Sequence, residues 1–163
     1  MNVQQLNNEP EINEEVAEHE LNFKKMLIFL CGEQHFAIDI MSVREIIKPV
    51  VLTRLPNVPK FVYGITNLRG NIIPILHLGF RLSEQDVVIS KNMRYIVVEG
   101  RGKMFGLMVD SIKQVASVND TDFQEPDHYL SDISQECIES YFSMADTIVI
   151  QLNVDELISE DVI

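Results

Sequence analysis

Short apolar runs alternate with turn residues along most of this chain, the pattern of a protein built from β-hairpins. Met26–Cys31 is apolar, Gly32-Glu33-Gln34 is a turn, and His35–Ile38 resumes an extended pattern, which predicts a first hairpin. Gly64–Leu68 and Asn71–Leu76 flank Arg69-Gly70 and predict a second, with glycine at its turn. Tyr95–Glu99 and Lys103–Val109 form a third around Gly100-Arg101-Gly102, and Ile138–Met144 and Thr147–Leu152 a fourth about Ala145-Asp146. Between hairpins, Ile40, Val43 and Ile47 fall on one helical face. A short helix Ile40–Ile47 is therefore expected, capped by Asp39 and stopped by Pro49. Val50–Leu55 and Ile112–Val118 read as further β-rich runs, and residues 83–92 and 119–135 as polar loops. Val154–Ile158 suits a short terminal helix with Asn153 as its cap.

The pattern repeats. Ser42–Ile46 (SVREI) resembles Ser111–Val115 (SIKQV), and Leu68–Leu76 (LRGNIIPIL) resembles Met144–Leu152 (MADTIVIQL). Each half reads as hairpin, Ser-led linker, loop, hairpin. A lone hairpin cannot bury its own face, so two copies imply two small all-β barrels. Chance similarity between β-rich segments is the alternative left open here.

The chain has 163 residues, 46% of them hydrophobic, enough for one domain or for two small units sharing a core. Residues 1–22 hold six acids and no Lys or Arg, with little apolar material, and are expected to be a disordered acidic tail. Residues 23–163 are expected to fold, as subdomains of about 23–90 and 91–159, with interlacing of the two left open. The N-terminus lacks the basic and apolar regions of a signal peptide, and the longest apolar run, Met26–Cys31, falls far short of the ~20 residues of a membrane span. A cytoplasmic chain with reduced thiols and no direct membrane insertion is expected.

The net charge of −12 argues against nucleic acid as a partner. Its distribution says more. Residues 23–113 carry thirteen basic and seven acidic side chains, whereas 114–163 carry twelve acids and no base. Either the two halves fold together and the field averages out, or the protein has one basic and one acidic face suited to oriented docking.

Candidate chemistry is sparse. His19, His35, His77 and His128 have no metal-ligand spacing, and Cys31 and Cys137 have no base beside them in sequence. Gly100-Arg101-Gly102-Lys103 lacks the phosphate-loop pattern and reads as a hairpin turn. Asp120, Asp122, Glu125 and Asp127 lack the central glycine of a calcium loop. No nucleophile–base pair emerges, so an enzyme is not expected and no cofactor or metal is implied. Two charges at the margins of apolar stretches stand out: Glu45, on the expected helix, and Arg69, in its glycine turn. They are either ordinary surface charges or an ion pair that holds the helix against the second hairpin while offering an Arg to a partner.

Three blocks, Gly32–Ile46 (GEQHFAIDIMSVREI), Thr53–Leu78 (TRLPNVPKFVYGITNLRGNIIPILHL) and Gly106–Val115 (GLMVDSIKQV), resemble the CheW family of chemotaxis adaptors from about Phe23 to Ser159. The resemblance implies two five-stranded, SH3-like β-barrels sharing a core, no catalysis, and a bridging role. Its partners would be the cytoplasmic tip of a methyl-accepting chemotaxis receptor and the regulatory domain of the histidine kinase CheA. It makes Arg69 and Glu45 a paired receptor-side feature, with Val43, Asn67, Leu68 and Gly70 beside them at the groove between barrels. On the kinase side it points to Ile40, Val50 and Val51. One departure is local: the family usually has Asp where this chain has His77. An adaptor of a pilus-motility or other kinase pathway is an alternative within the class. A small ligand-binding β-barrel is a more remote one.

Overall fold

The computed structural model describes residues 22–85, 89–126 and 133–158. The expected tail lies outside them apart from Asn22. The four expected hairpins are present: β1 (Phe23–Cys31) with β2 (Gln34–Asp39), β4 (Val62–Leu68) with β5 (Asn71–His77), β6 (Arg94–Gly100) with β7 (Lys103–Val109), and β9 (Ile138–Met144) with β10 (Thr147–Leu152). Two single strands, β3 (Val43–Ile47) and β8 (Ser111–Asn119), complete the set. The second, third and fourth hairpins turn through Arg69-Gly70, Arg101-Gly102 and Ala145-Asp146. All six residues have positive φ, as two-residue turns matched to strand twist require.

The strands form two five-stranded sheets, ordered β8-β1-β2-β10-β9 (sheet 1) and β3-β6-β7-β5-β4 (sheet 2). The two sequence repeats, β1–β5 and β6–β10, exchange parts. Each gives its first hairpin to one sheet and its third strand and second hairpin to the other. The joints are the parallel pairs β2–β10 and β7–β5 and the antiparallel pairs β1–β8 and β3–β6.

This exchange explains the unbroken apolar runs. In β1, Leu27, Phe29 and Cys31 enter a core shared by both sheets, while Met26 and Ile28 enter a core belonging to sheet 1. In β6, Ile96 and Val98 face the shared core, while Tyr95 and Val97 face the core of sheet 2. A strand buried on both faces has no polar alternation to show.

The helix expected over Ile40–Ile47 is not there. Asp39 does cap a turn, its carboxylate accepting from the Met41 N–H at 2.9 Å, but only a 3₁₀ turn, Ile40–Ser42, follows. Val43–Ile47 is β3, paired with β6. The β-branched residues Val43, Ile46 and Ile47 suit the pleated sheet better than a helix. Nor is Val50–Leu55 a strand: Thr53 alone bridges to Ile65 of β4. A short helix α1 (Leu78–Ser83) stands where β5 gives way to the polar loop, and α2 (Val154–Leu157) ends the fold, capped by Asn153. Arg81 of α1 clamps α2 by donating to the Leu157 carbonyl at 3.0 Å and the Glu156 carbonyl at 2.8 Å.

Candidate functional site

The β4–β5 turn builds the site. Arg69 and Gly70 take φ of 54° and 87°, and Asn67 Oδ1 accepts from the Gly70 N–H at 2.9 Å. The turn leaves the Arg69 side chain 79% exposed, yet Arg69 Nη2 donates to Glu45 Oε2 at 2.9 Å. Glu45 comes from β3 rather than from a helix. A bulge between Val43 and Glu45 shifts the β3–β6 register, placing Glu45 opposite Val97, a residue of the sheet 2 core. Arg44, between them, instead bonds Glu99 through Nε at 2.9 Å.

The two partners belong to opposite margins of sheet 2, since β3 and β4 are its edge strands. The ion pair therefore spans the ends of a sheet curled around its own core, with Ile47 and Leu68 packed at that core's margin.

Of the receptor-side residues named from sequence, Arg69, Glu45, Asn67, Leu68 and Gly70 gather at this end of sheet 2. Asn67 and Gly70 are exposed and Leu68 is half-buried. Val43 lies two residues from Glu45 and packs half-buried on the shared core. Of the kinase-side residues, Val50 and Val51 stand exposed on the β3–β4 connection, Val51 at 95%, whereas Ile40 packs half-buried on the shared core. The Arg44–Glu99 pair was not visible in sequence, because 55 residues separate its members.

Cys31, Cys137 and His77 have structural settings. Burial, with the nearby Asp110 carboxylate, pushes the Cys31 thiol up to about 12, only partly offset by a backbone hydrogen bond at Gly79. Burial likewise raises Cys137 to about 11, against the lowering effect of Arg81. Neither is a thiolate at neutral pH, as nucleophilic attack requires. His77 caps α1: its Nδ1 accepts from the Phe80 N–H at 2.8 Å, the bond an Asp would make there. Among the described residues no group of three or more His, Cys, Asp or Glu could hold a metal.

Charge sorts by the chain segments that supply the two sheets, mostly in their turns and connections. Residues 43–109, which supply sheet 2, hold ten Lys and Arg against four Asp and Glu. Residues 23–42 and 110–158, which supply sheet 1, hold three against thirteen.

Comparison with known proteins shows the family of the fold. The family model of the CheW-like domain matches residues 25–162. The chemotaxis protein CheW of Helicobacter pylori is 30% identical over 133 residues, covering 82% of this chain and 80% of that protein. The CheW of Treponema pallidum is 30% identical over 139 residues, covering 83% and 82%. The crystal structure of the scaffolding protein TtCheW from Thermoanaerobacter tengcongensis superposes with a TM-score of 0.79 at 31% identity, over 85% of this chain and 90% of that one.

Proposed function

Because the chain belongs to the CheW-like domain family, we propose that it is a non-enzymatic adaptor coupling methyl-accepting chemotaxis receptors to the histidine kinase CheA. The observation that carries this reading is the Arg69–Glu45 pair, which holds an exposed guanidinium at the end of sheet 2 inside a fold that matches the scaffolding protein TtCheW over 85% of the chain. An Arg fixed at one atom and otherwise open to solvent is suited to a partner's acceptors, because its planar fork binds two at once. The receptor surface in this reading is Arg69 and Glu45 with Asn67, Leu68, Gly70 and Val43. The kinase surface is the exposed Val50–Val51 connection together with Ile40, which packs half-buried on the shared core.

The reading assigns no catalytic residue. The buried thiols stay protonated, and His77, the buried histidine among the described residues, has a capping task. No helix among the described residues is long and apolar enough to cross a membrane, which suits a cytoplasmic protein recruited to membrane receptors.

The test is reconstitution. Receptor cytoplasmic fragments displayed on vesicles should retain the kinase in a sedimented pellet only when this protein is added. Kinase recovery that does not depend on the protein would refute the bridging role.

A further inference from the structure

A hollow of about 330 Å³ opens just after the Arg69–Gly70 turn, lined by Asn71, Ile72, Ile73, Pro74, Lys103 and Met104. Asn71 is the first residue of β5, and Lys103 and Met104 are the first of β7, the neighbouring strand. The two strands run parallel with Ile75 beside Gly106, so following the register back three residues brings Ile72 beside Lys103. Ile72 is 67% exposed, on the face opposite Ile73, which is buried in the sheet 2 core.

None of the lining residues is acidic, and the basic excess of residues 43–109 lies largely in turns and connections, Arg69 and Arg101 among them. Two carboxylates near the hollow are already paired: Glu45, 23% exposed, with Arg69, and Glu99, opposite Met104 across β6–β7, with Arg44. Of the five N–H donors on the Arg69 guanidinium, the one that Glu45 takes lies on Nη2. An exposed isoleucine lining a hollow of mixed apolar and polar surface, bordered by an Arg and a Lys, fits an apolar side chain that arrives with carboxylates next to it.

We propose that this hollow seats an apolar side chain of an acidic segment of the receptor's cytoplasmic tip, with flanking carboxylates meeting Arg69 and Lys103. The inference rests on the adaptor reading and narrows it to the chemistry of one partner. The positive field speeds encounter and is screened by salt, whereas the apolar seat governs dissociation.

The experiment measures association and dissociation rates of the full chain with a receptor cytoplasmic fragment, at about 50 and 300 mM salt, which brackets the range where screening changes most. The variants are Lys103→Glu and Ile72→Ser. Both positions are at the surface of the hollow, and melting curves confirm that each variant folds. Lys103→Glu should slow association several-fold at low salt, and the difference should close at high salt. Ile72→Ser should speed dissociation several-fold at either salt. A Glu→Lys change in the receptor segment should restore the association rate of Lys103→Glu. If wild-type protein binds the fragment and both variants match it, this proposal falls while the adaptor reading stands. If wild-type protein binds neither receptor nor kinase, the adaptor reading itself falls. Loss confined to kinase binding or to self-association would mean a different occupant and would also overturn the proposal.

Discussion

Arg69 reaches across sheet 2 to Glu45 at 2.9 Å, from a backbone conformation that its own side chain disfavours. With φ at 54°, Arg69 sits in the left-handed region, where an L-residue costs roughly 1–2 kcal/mol and glycine little. The ion pair is largely solvated and contributes about 0–1 kcal/mol. Arg69→Gly should therefore leave the thermal midpoint unchanged or slightly raised. A clear drop in calorimetric melting temperature would show that the pair holds the sheet together, and that Arg69 is kept for stability.

Two glycines of the block GITNLRG should respond differently to alanine. A Cβ on Gly64 would meet Leu52 Cβ at 2.8 Å and the Thr53 carbonyl oxygen at 2.9 Å, where the β3–β4 connection bridges to Ile65. Backbone cannot easily retreat, so Gly64→Ala should destabilise by overpacking, by roughly 1–3 kcal/mol. A Cβ on Gly70 meets nothing within 4 Å, and only its φ of 87° opposes the change. The cost there is the conformational one, roughly 1–2 kcal/mol. The discriminating result is packing: Gly64→Ala should shift NMR resonances of Leu52 and Thr53, and Gly70→Ala should shift only turn residues.

His77 holds the first turn of α1. Its Nδ1 accepts from the Phe80 N–H, so His77→Asp should keep α1 capped with little change in stability. His77→Ala should lose about 0.5–2 kcal/mol, the usual range for a cap. Urea unfolding of the three proteins distinguishes this from a core-packing role, in which Asp would be worse than Ala.

The buried thiols make stability fall at high pH. Their ordinary value is 9.0, and the folded protein holds them near 12 and 11 through burial. Below pH 9 both states keep the protons and the contribution is fully present. As pH rises from 9 towards 11 and 12, the unfolded chain sheds protons that the fold retains, and stability declines. Urea midpoints at successive pH values should fall in that window, and fall less in the Cys31→Ala, Cys137→Ala double variant. Identical slopes for parent and double variant would exclude the thiols as the cause.

The hairpins were legible because their signals are local. Arg69-Gly70 and Arg101-Gly102 mark turns by themselves, and apolar runs bracket each of them. The stretch Ile40–Ile47 misled because the spacing of Ile40, Val43 and Ile47 fits a helical face, while the β-branched Val43, Ile46 and Ile47 also suit a strand. Pairing with β6, about 50 residues on, decides between them. Helix α1 escaped notice because its cap is His77, which is not among the usual capping residues. The repeat was readable, but the exchange of its parts was not, since parallel pairing such as Ile150 with Phe36 leaves no local trace. The Glu45–Arg69 pair was anticipated with the wrong element under Glu45: the charges and their apolar flanks were visible, and the bulge was not.

The most direct test of the adaptor account is calorimetric titration of the parent, Arg69→Ala, Glu45→Ala and the double variant against a receptor cytoplasmic fragment and, separately, the kinase regulatory domain. The account predicts that Arg69→Ala loses roughly 1–3 kcal/mol of receptor affinity, as a hot-spot Arg does. Glu45→Ala should lose less, and the double variant less than the sum, because the two side chains are paired. Kinase affinity should be largely spared in all three. Undiminished receptor affinity in folded Arg69→Ala protein, or equal losses for both partners, would contradict the claim that this arginine marks the receptor surface.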